Sequence, residues 1–498
     1  MTTNTRAGTR RGQAAVAAAA GGPPLRWLAA AVLMVGALMD LIDVTIVNVA
    51  LPTIRRDLHA SATQLEWVVS GYLLAFAASL IIAGSMGDRF GRKRLFLAGV
   101  AVFGAASLCA GLSTAATELI AARVVQGAGA ASMAPQVLAT FRVIFSRQER
   151  GKAFALYGAM AGVASAIGLV LGGALTDANL FGWSWRAVFF VNVPVALLAL
   201  SAGSRLVPET RDPAAGRPNL PAGAVLAAGL VAVVYPLLEG RQLGWPAWMW
   251  PLMAAGVAAV AGLAVREARI GARSGPAVAG GVAPLLRPRL LRIPAFAAGL
   301  GVTLAFGAGM QGFFLMFALW LQAGEHFSPL KAGLTALALS VGCFLLAPAA
   351  VPLARKYGRR VLVSGGLLMA AGTVGVLAVV SPVSVGGSPW PIVPGLVVAG
   401  AGLALLVIPL ANVVLAAVPA GAAGGASGLF NTAQQLGGAV GVALLGTVFF
   451  GWVTSGHTFA AATTHTGPYA AAAFILCALL SLLLPCAAVS EDALIGTD

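Results

Sequence analysis

Residues 38–52 read LMDLIDVTIVNVALP. Asp40 and Asp43 stand three positions apart inside an apolar run that begins near Leu28 and is long enough to cross a bilayer. A charged carboxylate at mid-membrane costs about 2.5–3.5 kcal/mol on insertion scales, so acids persist there when they have a partner or a task. At a spacing of i, i+3 the two side chains leave nearly the same helix face. Burial favours the protonated form of a carboxyl group, and a second carboxylate nearby favours it further. Such a pair is suited to hold a proton near neutral pH and to release it when its cavity opens to the other side.

The rest of the chain makes this a membrane helix. Only 9% of the 498 residues are charged and 59% are hydrophobic, against about 25% charged in soluble domains. Apolar stretches of spanning length recur, whereas the strand-length alternation of an outer-membrane barrel is absent, so the fold class is an all-α polytopic membrane protein. Fourteen spans are expected, at 27–50, 65–87, 95–113, 117–141, 153–175, 186–204, 221–239, 247–265, 295–321, 331–352, 361–380, 391–416, 427–451 and 468–489. The net charge of +15 is a matter of topology rather than of nucleic acid. Of 31 Lys and Arg, 25 fall in loops on the side of the N-terminus, which places both termini in the cytoplasm. Cys109, Cys343, Cys477 and Cys486 lie in apolar runs and read as small buried hydrophobes. The N-terminal stretch with its Ala run reads as a retained tail, because a spanning helix follows at once.

An internal repeat organises the chain. GSMGDRFGRKR (84–94) follows the second span and VPLARKYGRR (351–360) follows the tenth; matching Gly91 to Gly358 also matches Phe90 to Tyr357, Arg92 to Arg359 and Lys93 to Arg360. Two bundles with the same tight basic joint indicate duplication, as in secondary transporters. The expected division is a cytoplasmic tail (1–26), an N-terminal six-helix bundle (27–205), a two-helix insertion with its linkers (206–268), a basic cytoplasmic linker (269–294), a C-terminal six-helix bundle (295–490) and a second cytoplasmic tail (491–498). The linker mixes Leu pairs with Arg287, Arg289 and Arg292 and is expected to lie along anionic lipid. The copies differ at Asp88, matched by Arg355, so the halves are not chemically equivalent.

Over nearly its whole length the sequence resembles the major facilitator superfamily, in particular its fourteen-helix drug:proton antiporter branch. DVTIVNVALP (43–52), GSMGDRFGRKR (84–94), RVVQGAGAA (123–131), IGLVLGG (167–173), WSWRAVFFVNVP (183–194) and FNTAQQLGGAVGVALLGTV (430–448) carry the likeness in order and spacing. The resemblance implies two pseudo-symmetric six-helix bundles plus two inserted helices, and makes Asp43 the motif acid, with Asp40 an extra one. It makes Asp88, Arg89, Gly91, Arg92 and Lys93 a gating loop. Gly168, Gly172 and Gly173 become a helix-packing motif, in which Leu169 stands where proline is usual.

Arg123 is a charge inside a helix and a natural counterpart for Asp43, with Gln126 one turn on. Expected proton-coupling residues are therefore Asp43, Asp40 and Arg123. Met310, Gln311, Phe314, Asn431, Gln434 and Gln126 are candidates for a substrate cavity, amides being uncomfortable against lipid. Between Glu267 and Glu491 the only acid is Glu325, so neutral or monocationic lipophilic compounds are expected to suit the pocket better than dications. The expected function is proton-coupled export of lipophilic drugs or antibiotics by alternating access, with a lipid or metabolite carrier of the same fold as the alternative. The proton gradient would be the energy source, without a cofactor, in a monomer of the cell membrane that binds no nucleic acid. No metal-ligand spacing, nucleotide loop or nucleophile–base set is present to indicate an enzyme.

Overall fold

In the computed structural model, residues 23–211, 216–273, 288–380, 388–416, 418 and 423–485 are described. Residues 1–22 of the expected N-terminal tail, the tail at 491–498, Cys486, and residues 274–287 of the linker with Arg287 lie outside them. Fourteen long helices follow one another among the described residues: α1 Pro23–Asp57, α2 Ala62–Phe90, α3 Arg92–Leu112, α4 Ala116–Ile144, α5 Arg147–Ala178, α6 Asn192–Leu206, α7 Leu220–Leu243, α8 Met249–Arg273, α9 Pro294–Leu319, α10 Pro329–Tyr357, α11 Arg359–Val380, α12 Val393–Ala416, α13 Ala423–Thr454 and α14 Phe459–Ser481. Twelve are long and apolar enough to cross a membrane, and the chain is a multi-pass membrane protein. The two not among them are α4, which carries Glu118, Arg123 and Arg142, and α5, of which Ala166–Ala178 counts as a shorter apolar stretch.

Local chemistry sets the helix ends. Ser61 caps α2 through a reciprocal box: its hydroxyl accepts from the Gln64 amide at 3.2 Å, and the Gln64 side chain accepts from the Ser61 amide at 2.8 Å. Thr458 caps α14 by a single bond, its hydroxyl accepting from the Ala461 amide at 3.2 Å. That cap corrects the expected last span at 468–489, since α14 starts nine residues earlier and has ended by Ser481. The expected span at 186–204 lies within one candidate crossing, Ser184–Leu206, which opens on two short turns, Ser184–Arg186 and Ala187–Phe190, before α6 begins. Cys477 is buried, but Cys109 faces outward from α3, contrary to expectation. Gly91 (φ +114°) and Gly358 (φ +58°) make the joints α2–α3 and α10–α11, where a side chain would be strained.

The packing repeats pair by pair. In the first half α1 packs on α5 and α6, α4 on α2 and α3, and α3 on α6. In the second, α9 packs on α13 and α14, α12 on α10 and α11, and α11 on α14. The halves meet through α2 against α13 and α5 against α10, while the hairpin α7–α8 lays α7 across both α2 and α13. Small residues permit these approaches. A Cβ on Gly127 would lie 2.3 Å from the Tyr72 carbonyl oxygen, whereas one on Gly262 meets nothing within 4 Å. Forcing a side chain into such a contact costs about 1–3 kcal/mol. Gly127→Val is therefore expected to lower the thermal midpoint of the purified protein, and Gly262→Ala to leave it unchanged, in a thermal-shift assay.

The end of the bundle holding the start of α1 is proximal here, and the opposite end distal. The distal end is closed. The Leu330 amide donates to Asp177 Oδ2 at 3.0 Å, Gln322 Nε2 donates to the Val49 carbonyl at 2.8 Å, and a Cβ on Gly333 would lie 2.2 Å from the Leu169 carbonyl oxygen.

Candidate functional site

Asp43 is fully buried on α1, and three side chains donate to it. Arg123 Nη1 of α4 approaches Oδ2 at 2.5 Å; Gln126 Nε2 of α4 and Asn192 Nδ2 of α6 reach Oδ1 at 2.8 and 3.2 Å. Arg123 is held in turn by its own turn of α4 and by α2. Its Nε donates to the Val68 carbonyl at 3.1 Å, its Nη1 to Gln126 Oε1 at 2.6 Å, and its guanidinium lies 4.1 Å above the Tyr72 ring. Planar stacking combined with forked donation is what guanidinium offers and ammonium does not. The Tyr72 hydroxyl donates to Asp40 Oδ1, so one aromatic side chain touches the base with its face and the second acid with its tip. Ser107 of α3 accepts from Gln126 Nε2 at 2.9 Å and completes the cluster.

The charges of this cluster are two carboxyl groups and one guanidinium, all at most 8% exposed. With both acids ionised it carries −1; with one proton added it is neutral. Buried charges need counter-charges or protons. Asp43 has a cation and two amides; Asp40 has one neutral phenol.

The other expected site residues fall elsewhere. Gln126, named for the substrate cavity, has no exposed surface and spends its amide on Asp43, Arg123 and Ser107, so the structure seats it in the charge cluster. Gly168 and Gly172 press α5 onto α1 at Thr45 and Ile46, and Gly173 presses it onto Leu330 of α10. Phe314 is buried, Met310 and Gln311 are partly buried on α9, with Gln311 beside Gly438 of α13. Gln434 is partly buried, and Asn431 is exposed and bonded to the Ser427 carbonyl at 3.0 Å within α13. A separate apolar cavity of about 260 Å³ opens in the proximal half between α7, α8, α9 and α13, walled by Leu226, Leu230, Val260, Leu304 and Leu436.

In the loop, Asp88 Oδ1 accepts from Arg92 Nε and Nη2 at 3.0 and 2.7 Å. The loop is clasped by the strand of chain after α6: Glu209 accepts from the Lys93 amide at 3.2 Å, Lys93 Nζ reaches the Ser204 carbonyl at 2.7 Å, and the Arg92 amide donates to the Thr210 carbonyl at 2.8 Å. Glu209, Asn192, Ser107 and Glu66 (a fully buried acid of α2) escaped the sequence reading. Asn192 lies inside the quoted WSWRAVFFVNVP, and an amide in an apolar stretch was its available signal.

Comparison with known proteins shows the family. A model of the Major Facilitator Superfamily matches residues 33–442. The chain is 39% identical over 445 residues to the "Probable actinorhodin transporter" of Streptomyces coelicolor, covering 88% of this chain and 75% of that protein. It is 35% identical to the "Tetracenomycin C resistance and export protein" of Streptomyces glaucescens, covering 85% and 76%. It is 32% identical to the "Multidrug efflux pump LfrA" of Mycolicibacterium smegmatis, covering 94% and 92%. Among solved structures, a POT family transporter with a thioalcohol-conjugated peptide superposes with a TM-score of 0.64 at 14% identity, covering 91% of this chain and 95% of that one. A D-xylose–proton symporter superposes at 0.62 and 15%, covering 92% and 98%.

Proposed function

Because the chain belongs to the major facilitator superfamily, we propose that it is a proton-coupled exporter of lipophilic drugs or antibiotics working by alternating access. The buried Asp40–Tyr72–Arg123–Asp43 cluster carries this reading: it is one proton short of neutrality when both acids are ionised. Asp43 is already met by a cation, so Asp40 is the acid that takes the proton in the distally closed state. Breaking the Arg123 contact as the halves rock would let the proton leave and the pocket accept its cargo in exchange. Relatives bearing the names of antibiotic and multidrug exporters support the substrate class.

The repeated packing supports the division at 27–205, 206–268 and 295–490, and the basic linker at 269–294 is assigned to the membrane surface by its charges. Helices α4 and α5, 29 and 32 residues long and enclosed by spanning neighbours, cross as well, giving fourteen crossings. Both termini are cytoplasmic by the loop charges, which makes the distal end the outer one. Asp88, Arg89, Gly91, Arg92 and Lys93 latch the proximal side in the other state, and Gly168, Gly172 and Gly173 form the sliding face of α5. The cargo is small, lipophilic, and neutral or monocationic, met by Met310, Gln311, Phe314, Asn431 and Gln434. The carrier acts as a monomer among membrane lipids, without cofactor, metal or nucleic acid, and performs no catalysis.

Proteoliposomes with an imposed pH gradient and a set of lipophilic dyes test the proposal. Gradient-dependent movement of monocations is expected, with slower movement of matched dications, because the C-terminal half supplies Glu325 as its sole acid between Glu267 and Glu491. Movement indifferent to the gradient would return the protein to the second reading, a lipid or metabolite carrier, which Leu169 in place of the motif proline favours. Equal or faster movement of the dication would overturn the assignment of cargo charge.

A further inference from the structure

Glu66 lies in the second turn of α2, where the first half, the second half and the inserted hairpin meet. It has no exposed surface, and neither of its carboxyl oxygens has a hydrogen-bond partner. Gly446 of α13 closes over it so tightly that a Cβ there would come within 2.7 Å of Oε1. Along the same seam Ser70 Oγ donates to the Ala439 carbonyl at 3.4 Å and Thr432 Oγ1 to the Ala77 carbonyl at 3.5 Å, so α2 and α13 seal against each other from Glu66 inward.

The charged groups around it come from two elements. From α7, Arg241 and Glu239 act on it directly. Arg241 Nε and Nη2 are themselves buried without partners, and its guanidinium lies 5.7 Å from the centre of the Phe450 ring. Glu239 is occupied by Trp67, whose indole Nε1 donates to its Oε1 at 2.8 Å. From the end of α1, Arg55 stands 5.9 Å from the same Phe450 ring. The facing stretch of α13 supplies Gly446 and Phe450, which carry no charge. No ion pair joins Glu66 to either arginine, and both Glu66 and Arg241 keep buried polar atoms without hydrogen-bond partners.

An ionised carboxylate buried without donors is strongly disfavoured, and a neutral carboxyl group much less so. The closed seam is therefore a home for protonated Glu66. Parting of α2 and α13 would admit water and free the side chain to pair with Arg241, which suits the ionised form. We propose that Glu66 and Arg241 form a second proton-binding site, a switch by which acid on the distal side closes the seam between α2 and α13. The proton arrives from the distal side and returns to it, so it is not one of the protons exchanged for cargo. The hairpin gains a role thereby: α7 supplies the counter-charge that the open state needs. The proposal rests on the alternating-access reading above but not on proton-driven export.

Spin labels at His59→Cys and Ser455→Cys, in a background freed of native cysteines and reconstituted in lipid nanodiscs, report the distal gap by pulsed dipolar spectroscopy. Lowering the pH is expected to enrich the short distance, the ratio of states changing by up to about tenfold per pH unit for one proton. Glu66→Gln should hold the short distance at every pH, and Glu66→Asp should keep the response with a shifted midpoint, which excludes mere misfolding. Arg241→Gln should weaken the open state at high pH. A Glu66→Gln protein that titrates like its parent, or a response that vanishes with Asp43→Asn and survives Glu66→Gln, would overturn the proposal. Dye transport indifferent to a pH gradient, with the distance change still lost in Glu66→Gln, would remove the exporter reading and leave this one intact.

Discussion

Asp43→Asn is expected to reduce gradient-driven dye efflux to the level of protein-free vesicles and to lower the thermal midpoint at the same time. Both effects have one origin. Asn can still accept from Gln126 and Asn192, but Arg123, 2% exposed, loses its ion-pair partner and keeps only Asp40, which reaches it through Tyr72. Removing one partner of a buried pair costs about 3–5 kcal/mol, because the other charge stays behind without water. Asp40→Asn should behave differently. Its amide oxygen can still accept from the Tyr72 hydroxyl, and no cation is orphaned, so stability should be kept. That variant imitates the protonated acid permanently, and it should exchange labelled for unlabelled dye across the membrane while failing to concentrate it against the pH gradient. Efflux at the parental rate in Asp40→Asn would show that the proton resides elsewhere. Parental efflux in Asp43→Asn would remove the cluster from coupling altogether.

The second large effect separates stability from coupling. Arg123→Gln alone leaves Asp43 ionised in an apolar interior and should cost a similar 3–5 kcal/mol. Combined with Asp43→Asn, the same change leaves two neutral amides within reach of Gln126, Asn192 and the Val68 carbonyl. Replacement of a buried ion pair by neutral groups is often harmless to stability. The double variant is expected to recover most of the thermal midpoint and none of the efflux, a strong coupling in a double-mutant cycle. Arg123→Lys should rescue neither fully, since a lysine can neither fork between Asp43 and Gln126 nor stack on Tyr72 in the same way. Recovery of transport in the neutral pair would mean that the charges serve only assembly.

Much of this was legible in the chain, and the reason differs by feature. Helices declare themselves through hydropathy over about 20 residues. The repeat declared itself through Gly91 and Gly358, because both joints need a backbone that other residues adopt at a cost. Asp43 and Arg123 were conspicuous as charges within apolar helices. What surrounds them was not, since Tyr72, Ser107 and Asn192 come from three further helices, and only folding brings them together. Glu66 was hidden by position: an acid in an early turn of a helix is unremarkable, being favoured by the helix dipole. Its burial is imposed by α7 and α13, far away in sequence. The start of α14 was missed because Thr458 and the polar residues after it lower the hydropathy of a turn that the cap nevertheless nucleates.

The way α7 lies across the first and second halves sets what the chain would lose without its hairpin. Stripped of the hairpin, the edge of α2 that presents Trp67 would touch acyl chains, and Glu66 would lose the only arginine reaching it from that side. A variant lacking α7 and α8 is therefore expected to need an apolar residue at position 66 before it inserts and holds together, since an acid without a counter-charge is costly next to lipid.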